Sequence, residues 1–323
     1  MIQCAIAGLG RWGRSLVEAA RRGGRLKITD AVEPDAERAR DFCAAHDLAL
    51  AESLEAVLAN PSIEAVLLAT PHSQHIAQVI AAASASKQVF CEKPLALCRE
   101  HAVRMFDACR SAGVVLAVGH NRRFWPSLQA LREVVGSGEL GTILHVEGHN
   151  SNENSQGITA GWRLSPEESP GGGLTGAGLH VLDAFVSLVG PARQVYARLS
   201  PREAGPPPLD SAMLAIDFAN GVTGTLATIR ATPFYWRVHV FGTNGSAEVL
   251  DEATLVRRRS GIRPEMIIYP IVDVLANELA AFADAVEGKQ PFPIPPEEVL
   301  ATLAAFDGAL RSMRAGQPVI LDP

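Results

Sequence analysis

The stretch Gln3-Cys4-Ala5-Ile6-Ala7-Gly8-Leu9-Gly10-Arg11-Trp12-Gly13 decides how the first part of this 323-residue chain is read. Gln3 to Ala7 is short and apolar, as a buried strand is, and a helical pattern follows from Ser15 to Arg22. Between them stands Gly-x-Gly-x-x-Gly. The motif is common by chance, but strand, glycine turn and helix in that order give it a mechanism. The glycines permit a tight turn and a close approach of backbone to a pyrophosphate, which rests on the free N–H groups at the helix start. Gly8, Leu9, Gly10, Arg11, Trp12 and Gly13 are therefore expected to hold a dinucleotide.

Next outward, Leu26 to Val32 reads as a second strand, with Glu33 at its end before a Pro34-Asp35 turn into a helix. Glu33 lies twenty positions past Gly13, where a carboxylate accepts hydrogen bonds from the ribose hydroxyls. It would repel a phosphate on that ribose, which favours NAD. Arg38, one turn into the helix, softens the preference and keeps NADP possible. The alternation continues with a helix near Ser53 to Leu58, strand Ala65 to Ala69 and a helix from Gln74 to Ala85. Strand Lys87 to Cys91, helix Arg99 to Ser111 and strand Val114 to Gly119 complete it. Strands alternating with helices imply a parallel, doubly wound sheet, which binds ligands at the carboxyl ends of its strands.

Two strand ends carry candidate chemistry. Thr70, Pro71 and His75 follow one and flank the expected cofactor, although a structural role at a helix start is an equal alternative for His75. Glu92-Lys93-Pro94 follows another, and the proline biases Lys93 towards an extended conformation. Lys93 is the candidate general acid or base. A free lysine titrates near ~10.4, so work near neutrality needs burial and the positive nicotinamide of NAD⁺ beside it. A close Glu92 carboxylate would oppose that, so Glu92 is expected to point away, towards cofactor or backbone.

Hydrophobic residues make up 47% of the chain and the formal net charge is −6. Without a basic stripe, a nucleic-acid partner is not expected. Five cysteines with no Cys-x-x-Cys pair argue against a zinc site or a disulfide framework and for a reducing compartment. No metal is expected. No apolar run reaches the ~18 residues of a membrane span and no charged leader precedes the first strand, so a cytoplasmic protein with no membrane partner is expected.

After Gly119 the pattern changes. His120-Asn121-Arg122-Arg123-Phe124-Trp125-Pro126 leads into a helix from Ser127 to Val135, and strands then dominate. Ile143 to Glu147 alternates. Met213 to Phe218 meets Val222 to Ile229 across Asn220-Gly221, and Arg237 to Phe241 meets Ala247 to Leu250 across Thr243-Asn244-Gly245. Asn-Gly between alternating runs signals hairpins of an antiparallel sheet. Pro201 to Pro208 reads as a loop. The glycine run Gly171-Gly172-Gly173 leaves room for close backbone approach ahead of a helix from Ala177 to Leu188, on which His180 and Asp183 share a face. Val272 to Glu287 and Glu297 to Arg314 repeat apolar residues at helical spacing and read as packing surfaces. The division expected is 1–120 for dinucleotide and 121–323 for substrate and oligomerisation.

Taken together, these elements resemble the glucose–fructose oxidoreductase and inositol dehydrogenase (Gfo/Idh/MocA) family. The matching residues are the Gly8 to Gly13 loop, Glu33, Thr70-Pro71 with His75, Glu92-Lys93-Pro94 and Asn121-Arg122-Arg123-Phe124. Trp162-Arg163, Gly171-Gly172-Gly173 with Gly178 and His180, and Phe241-Gly242-Thr243-Asn244-Gly245-Ser246 extend the match to about residue 250. The resemblance implies an α/β chain: an N-terminal doubly wound Rossmann domain and a C-terminal α/β domain with an open, largely antiparallel sheet. It further implies a late helix, about 272–287, that returns to the first domain, and a homodimer or homotetramer formed through the sheet. The implied activity is hydride transfer between nicotinamide and a secondary alcohol or ketone of a sugar, polyol or related cyclic substrate. Lys93 acts as acid or base in that scheme and His180 assists it, while Asn121, Arg163 and Asp183 join His180 among the candidate substrate contacts and Asn121 also orients the cofactor. The family's aspartate four positions before the histidine is missing, because Gly176 stands there. That departure keeps two alternatives open: a dehydrogenase of an arene dihydrodiol or other anionic non-sugar alcohol, and a non-catalytic dinucleotide sensor.

Overall fold

The computed structural model describes residues 1–157, 161–203 and 208–321. It divides into one unit of Met1–Asn121 with Asp273–Pro295 and a second of Arg122–Val272 with Pro296–Pro323.

The first unit is built on six strands, β1 (Ile2–Ala7), β2 (Leu26–Val32), β3 (Ala49–Leu50), β4 (Ala65–Leu68), β5 (Gln88–Glu92) and β6 (Leu116–Gly119). They pair in parallel in the order β3-β2-β1-β4-β5-β6. Between them run α1 (Arg11–Gly23), α2 (Ala36–His46), α3 (Leu54–Ala59), α4 (His75–Ser84) and α5 (Arg99–Ala112). Every residue of β4 is buried, which is why it reads as a continuous apolar run rather than an alternation. Helix α1 buries Leu16, Val17, Ala19 and Ala20 and stops at Gly24, whose φ of 65° suits a left-handed cap. Helix α2 starts where the Asp35 carboxylate accepts the Arg38 N–H at 3.0 Å. Strand order reverses between β1 and β4, so the ligand crevice of such a sheet opens at the carboxyl ends of those two strands.

The second unit begins with α6 (Pro126–Gly136), β7 (Ile143–Ser151) and α7 (Leu179–Val189). Seven more strands follow: β8 (Ala192–Glu203), β9 (Leu209–Phe218), β10 (Thr223–Ile229), β11 (Tyr235–Gly242), β12 (Gly245–Val249), β13 (Thr254–Arg258) and β14 (Glu265–Ile268). With β15 (Val319–Ile320) they order as β14-β13-β12-β11-β7-β10-β9-β8-β15. The β7–β10 pair is parallel and the other described pairs are antiparallel. Both Asn-Gly turns join the strands expected of them. Strand β7 runs four residues past Glu147, and β3, β8, β13, β14 and β15 have no counterpart in the sequence reading. Pro201 lies inside β8, beyond the part of that strand that β15 covers, and an edge position tolerates a residue with no N–H to give. Residues 204–207 of the expected proline-rich loop lie outside the described residues.

After the sheet, α8 (Val274–Val286) belongs to the first unit and α9 (Pro296–Ala315) to the second. Helix α8 packs on α1. Arg22 Nε meets Asp273 at 2.5 Å, and Arg25 Nη2 meets Asp284 and Glu287 at 2.8 and 2.9 Å. These pairs are partly exposed and each contributes at most about 1 kcal/mol. Burial dominates: Leu279, Phe282 and Ala283 enter the core around β1, and Phe282 meets Phe90 edge-on at 5.8 Å. Leu279 and Phe282 alone stabilise by roughly 1.5–3 kcal/mol each. Among the described residues, no helix is long and apolar enough to cross a membrane.

Candidate active site

The glycine turn shows which of its residues the protein itself requires. Gly8 has φ +90°, and a Cβ there would lie 2.6 Å from the Ala69 carbonyl oxygen. A Cβ on Gly13 would lie 1.9 Å from the Gly8 carbonyl oxygen. Those two glycines are dictated by packing of the turn against itself and against the end of β4. Gly10 is different. Its φ of −65° is open to any residue, and a Cβ there would meet nothing within 4 Å. It is the N-cap of α1 yet supplies no side-chain cap to the helix N–H groups, which leaves donors for an external acceptor. The residues present therefore fit a pyrophosphate: a bare backbone, free space and uncapped N–H groups.

Around this turn, the Leu9 N–H donates to Glu33 Oε2 at 2.7 Å and Arg14 Nε donates to the Leu9 carbonyl at 3.0 Å. Glu33 thus sits at the glycine loop. Arg11 and Arg38 are exposed, and Trp12 is partly buried against the core.

The ends of β4, β5 and β6 form the neighbouring part of the edge. Thr70 Oγ1 donates to Gln78 Oε1 at 2.6 Å, and Pro71 starts the turn into α4. His75 is fully buried, with ring nitrogens 3.0 Å from the Pro94 carbonyl and 3.1 Å from the Thr70 carbonyl. It ties the two loops together. Glu92 is buried where β5 pairs with Gly119 of β6. A Cβ on Gly119 would lie 2.7 Å from Glu92 Oε1, so glycine makes room for the carboxylate. Burial pushes the Glu92 carboxyl up to about 7, against the opposing pull of Lys93. The Trp12 indole and the Lys93 N–H act in the same direction as Lys93, although Trp12 Nε1 and Glu92 Oε1 form no geometrically sound hydrogen bond. Glu92 turns inward beside Gly119 and stays within electrostatic reach of Lys93. Lys93 itself is only partly buried at the sheet edge. Asn121 follows β6, and its Oδ1 is sealed from solvent without a hydrogen-bond partner among the described residues.

In the second unit, the glycine run is held from the sheet. Gly172 has φ +55°, and a Cβ there would lie 2.6 Å from Asp210 Oδ2. The Gly173 N–H donates to Asp210 Oδ1 at 3.0 Å, and Arg230 neutralises the same carboxylate through an ion pair. A π-turn over Leu174–Gly178 follows, instead of the first turn of a regular helix; such turns leave backbone groups to be satisfied from outside. Asn150 Nδ2 supplies one bond, to the Ala177 carbonyl at 2.8 Å. His180 then stands on the first turn of α7 and is buried. Gly176 is exposed and a Cβ there would meet nothing within 4 Å, so packing does not forbid a side chain at that position.

Asp183, expected among the substrate contacts, is occupied otherwise. Its Oδ2 accepts from Arg123 Nε at 2.6 Å and its Oδ1 from Nη2 at 2.9 Å, while Arg123 Nη1 reaches Glu298 at 2.6 Å. Burial would lower Arg123, but Asp183 and Glu298 hold it above its ordinary value. Arg123 is thereby a pillar inside the second unit. Arg163 is exposed and its guanidinium lies 4.2 Å from the Trp162 ring centroid. Asn150, Asp210 and Arg230 escaped the sequence reading because nothing local marks them; each acts on a residue 20 or more positions away. Among the described residues, no group of three or more histidine, cysteine, aspartate or glutamate side chains stands where it could hold a metal ion.

Comparison with known proteins bears on the same residues. A family model described as "Oxidoreductase family, NAD-binding Rossmann fold" matches residues 2–120, and the "GFO/IDH/MocA C-terminal domain" matches residues 128–248. The chain is 27% identical to the scyllo-inositol 2-dehydrogenase (NAD(+)) of Bacillus subtilis (strain 168), over 99% of this chain and 96% of that one. It is 27% identical to the 1,5-anhydro-D-fructose reductase of Ensifer adhaerens, over 96% and 98%. In fold it is similar to levoglucosan dehydrogenase, solved in complex with NADH and L-sorbose, with a TM-score of 0.90 at 22% identity over 99% of each chain.

Proposed function

The chain belongs to the Gfo/Idh/MocA family of NAD(P)-dependent oxidoreductases, and from that premise we propose that it transfers hydride to or from a ring secondary alcohol or ketone, with Lys93 as the acid or base. The observation that carries the reading lies within the first unit. The Gly8 to Gly13 turn leaves β1 and Lys93 leaves β5, on the same carboxyl edge, with β4 between them. Two strand spacings amount to roughly 10 Å, a span that a dinucleotide laid along the edge covers. NAD, when bound, is the hydride acceptor or donor.

The chain's own residues handle the rest. Lys93 Nζ takes the proton from the substrate hydroxyl in oxidation and returns it to the oxygen in reduction. His180 hydrogen-bonds that oxygen, and Arg163 orients the substrate. Asn121 Oδ1, sealed and unpartnered, accepts an N–H from the carboxamide of the cofactor. Glu33, already at the loop, takes the ribose hydroxyls and disfavours a 2′-phosphate. The substrate is a sugar, polyol or related cyclic alcohol, and the working assembly is two or four copies in a reducing compartment.

The test screens polyols, inositols, sugar acids and arene dihydrodiols with NAD⁺ for reduced cofactor, then repeats the best case with Lys93→Met. The variant keeps the stem and removes the charge, so kcat should fall by about 10²–10⁴-fold while NADH still binds. Turnover within tenfold of the parent would remove Lys93 from the chemistry.

A further inference from the structure

Two consecutive arginines open the second unit, and they are treated oppositely. Arg123 is surrounded by carboxylates. Arg122 has none: among the described residues, no ion pair or side-chain hydrogen bond reaches its guanidinium, and Nε is sealed from solvent without a partner. Aromatic rings hold it instead. Its guanidinium carbon lies 4.1 Å from the centroid of Trp125 and 4.5 Å from that of Trp236, in the corner of two rings 5.0 Å apart and tilted 69° to each other. A third ring, Phe234, stands 5.9 Å away and is 51% exposed.

Such a cation is costly unless something offsets its lost hydration. Ring faces offset part of it, but they satisfy the faces of the guanidinium and leave its N–H edge unused. Burial lowers Arg122 to about 10, with Glu252 opposing at a distance, so the group remains charged at neutral pH. A charged, planar donor fork, fixed by aromatic walls and lacking an anion of its own, matches one ligand class best: a planar monoanion that accepts two parallel N–H bonds.

We propose that Arg122, in its corner of Trp125, Trp236 and Phe234, is a recognition site for the carboxylate of a small-molecule substrate. The inference rests on the oxidoreductase reading above and narrows it to hydroxy acids, such as sugar acids. Sequence position supports the assignment, since Arg122 directly follows Asn121. A carboxylate is favoured over a phosphate because a single cation balances one negative charge and the walls admit a flat group. The half-exposed Phe234 ring offers apolar surface for the carbon skeleton next to that carboxylate.

The experiment titrates NADH-loaded protein calorimetrically with matched probes: D-gluconate against D-glucitol, D-glucuronate against D-glucose, and D-glucose 6-phosphate. At least one acid should bind tenfold or more tightly than its uncharged counterpart, and Arg122→Gln should abolish that preference while NADH affinity stays the same. Arg122→Lys, which keeps the charge but loses the fork, should retain only part of it and guards against a folding defect in the glutamine variant. Equal affinities for acid and uncharged probe, tighter binding of the phosphate, or an unchanged preference in both variants would each overturn the proposal. Those outcomes leave the oxidoreductase reading standing as long as NADH binds and a neutral alcohol reduces NAD⁺; failure to bind NADH would strike that reading instead.

Discussion

Replacing Asp183 by Ala removes one partner of a nearly dry ion pair, with side chains only 5% and 2% exposed. Arg123 would lose hydrogen bonds of 2.6 and 2.9 Å and be left as a buried cation with the contact to Glu298 and a 3.2 Å bond to the backbone carbonyl of residue 183. Breaking such a pair from one side costs about 3–5 kcal/mol. Glu298 remains, and its side chain is 21% exposed, so Asp183→Ala should fall near the lower end, about 3 kcal/mol. Arg123→Met should cost more. That change strips Asp183 of both guanidinium hydrogen bonds, whereas Glu298 can fall back on Arg132 at 3.1 Å and on water. The double change Arg123→Met with Asp183→Leu should recover most of the loss, because apolar replacement of a whole buried pair is often neutral. Urea unfolding, followed through the fluorescence of Trp125 and Trp236, measures all three. If Asp183→Ala costs less than 1 kcal/mol yet raises KM for the substrate, the carboxylate faces the ligand and the structural assignment is wrong.

Other predictions concern the first unit. Gly10→Ala should leave the unfolding midpoint in place but weaken NADH binding at least tenfold, whereas Gly13→Ala, forced against the Gly8 carbonyl, should lower stability as well; equal effects on both measurements for both variants would refute the distinction. Exchanging Glu33 for Ser should narrow or reverse the preference for NADH over NADPH in a binding titration, and a preference that the exchange leaves untouched would show that another residue reads the ribose. Glu92 predicts a pH effect of definite sign. Its carboxyl is raised to about 7 in the fold from an ordinary 4.5, so the folded chain holds a proton that the unfolded chain gives up. That contribution is complete below about pH 4.5 and is lost as pH rises through 7, on the order of 3 kcal/mol in total. Glu92→Gln should therefore flatten the decline of the urea midpoint between pH 5 and 8.5; parallel profiles for parent and variant would contradict it.

Much of the first unit was readable because its signals are local. The strand, glycine turn and helix of residues 2–23 are adjacent in sequence, and β4 and the Val89–Cys91 stretch of β5 are apolar and buried. The Asn-Gly hairpins were legible for the same reason. Strands β13 and β14 were not, since Arg257, Arg258 and Glu265 interrupt any apolar alternation and are satisfied by pairs with other strands and loops. The tail of β7 was hidden by Gly148, His149 and Asn150, polar or small residues that only the flanking β10 and β11 turn into strand. At the site, residue types and positions could be named, but not their occupation. That His75 bridges two carbonyls, that Asp183 serves Arg123 and that Arg122 is left to aromatic rings all depend on partners distant in sequence.

The return of α8 to the first unit has a consequence for synthesis. The six strands are complete once residue 119 has been made, yet the apolar surface that receives Leu279 and Phe282 stays bare until the ribosome has added about 160 more residues. At ordinary elongation rates of ~5–20 residues per second, this half-built nucleotide fold waits on the order of ten to thirty seconds for its closing helix. A nascent chain halted before residue 273 should expose a greasy scar that chaperones recognise, and one released past residue 295 should not.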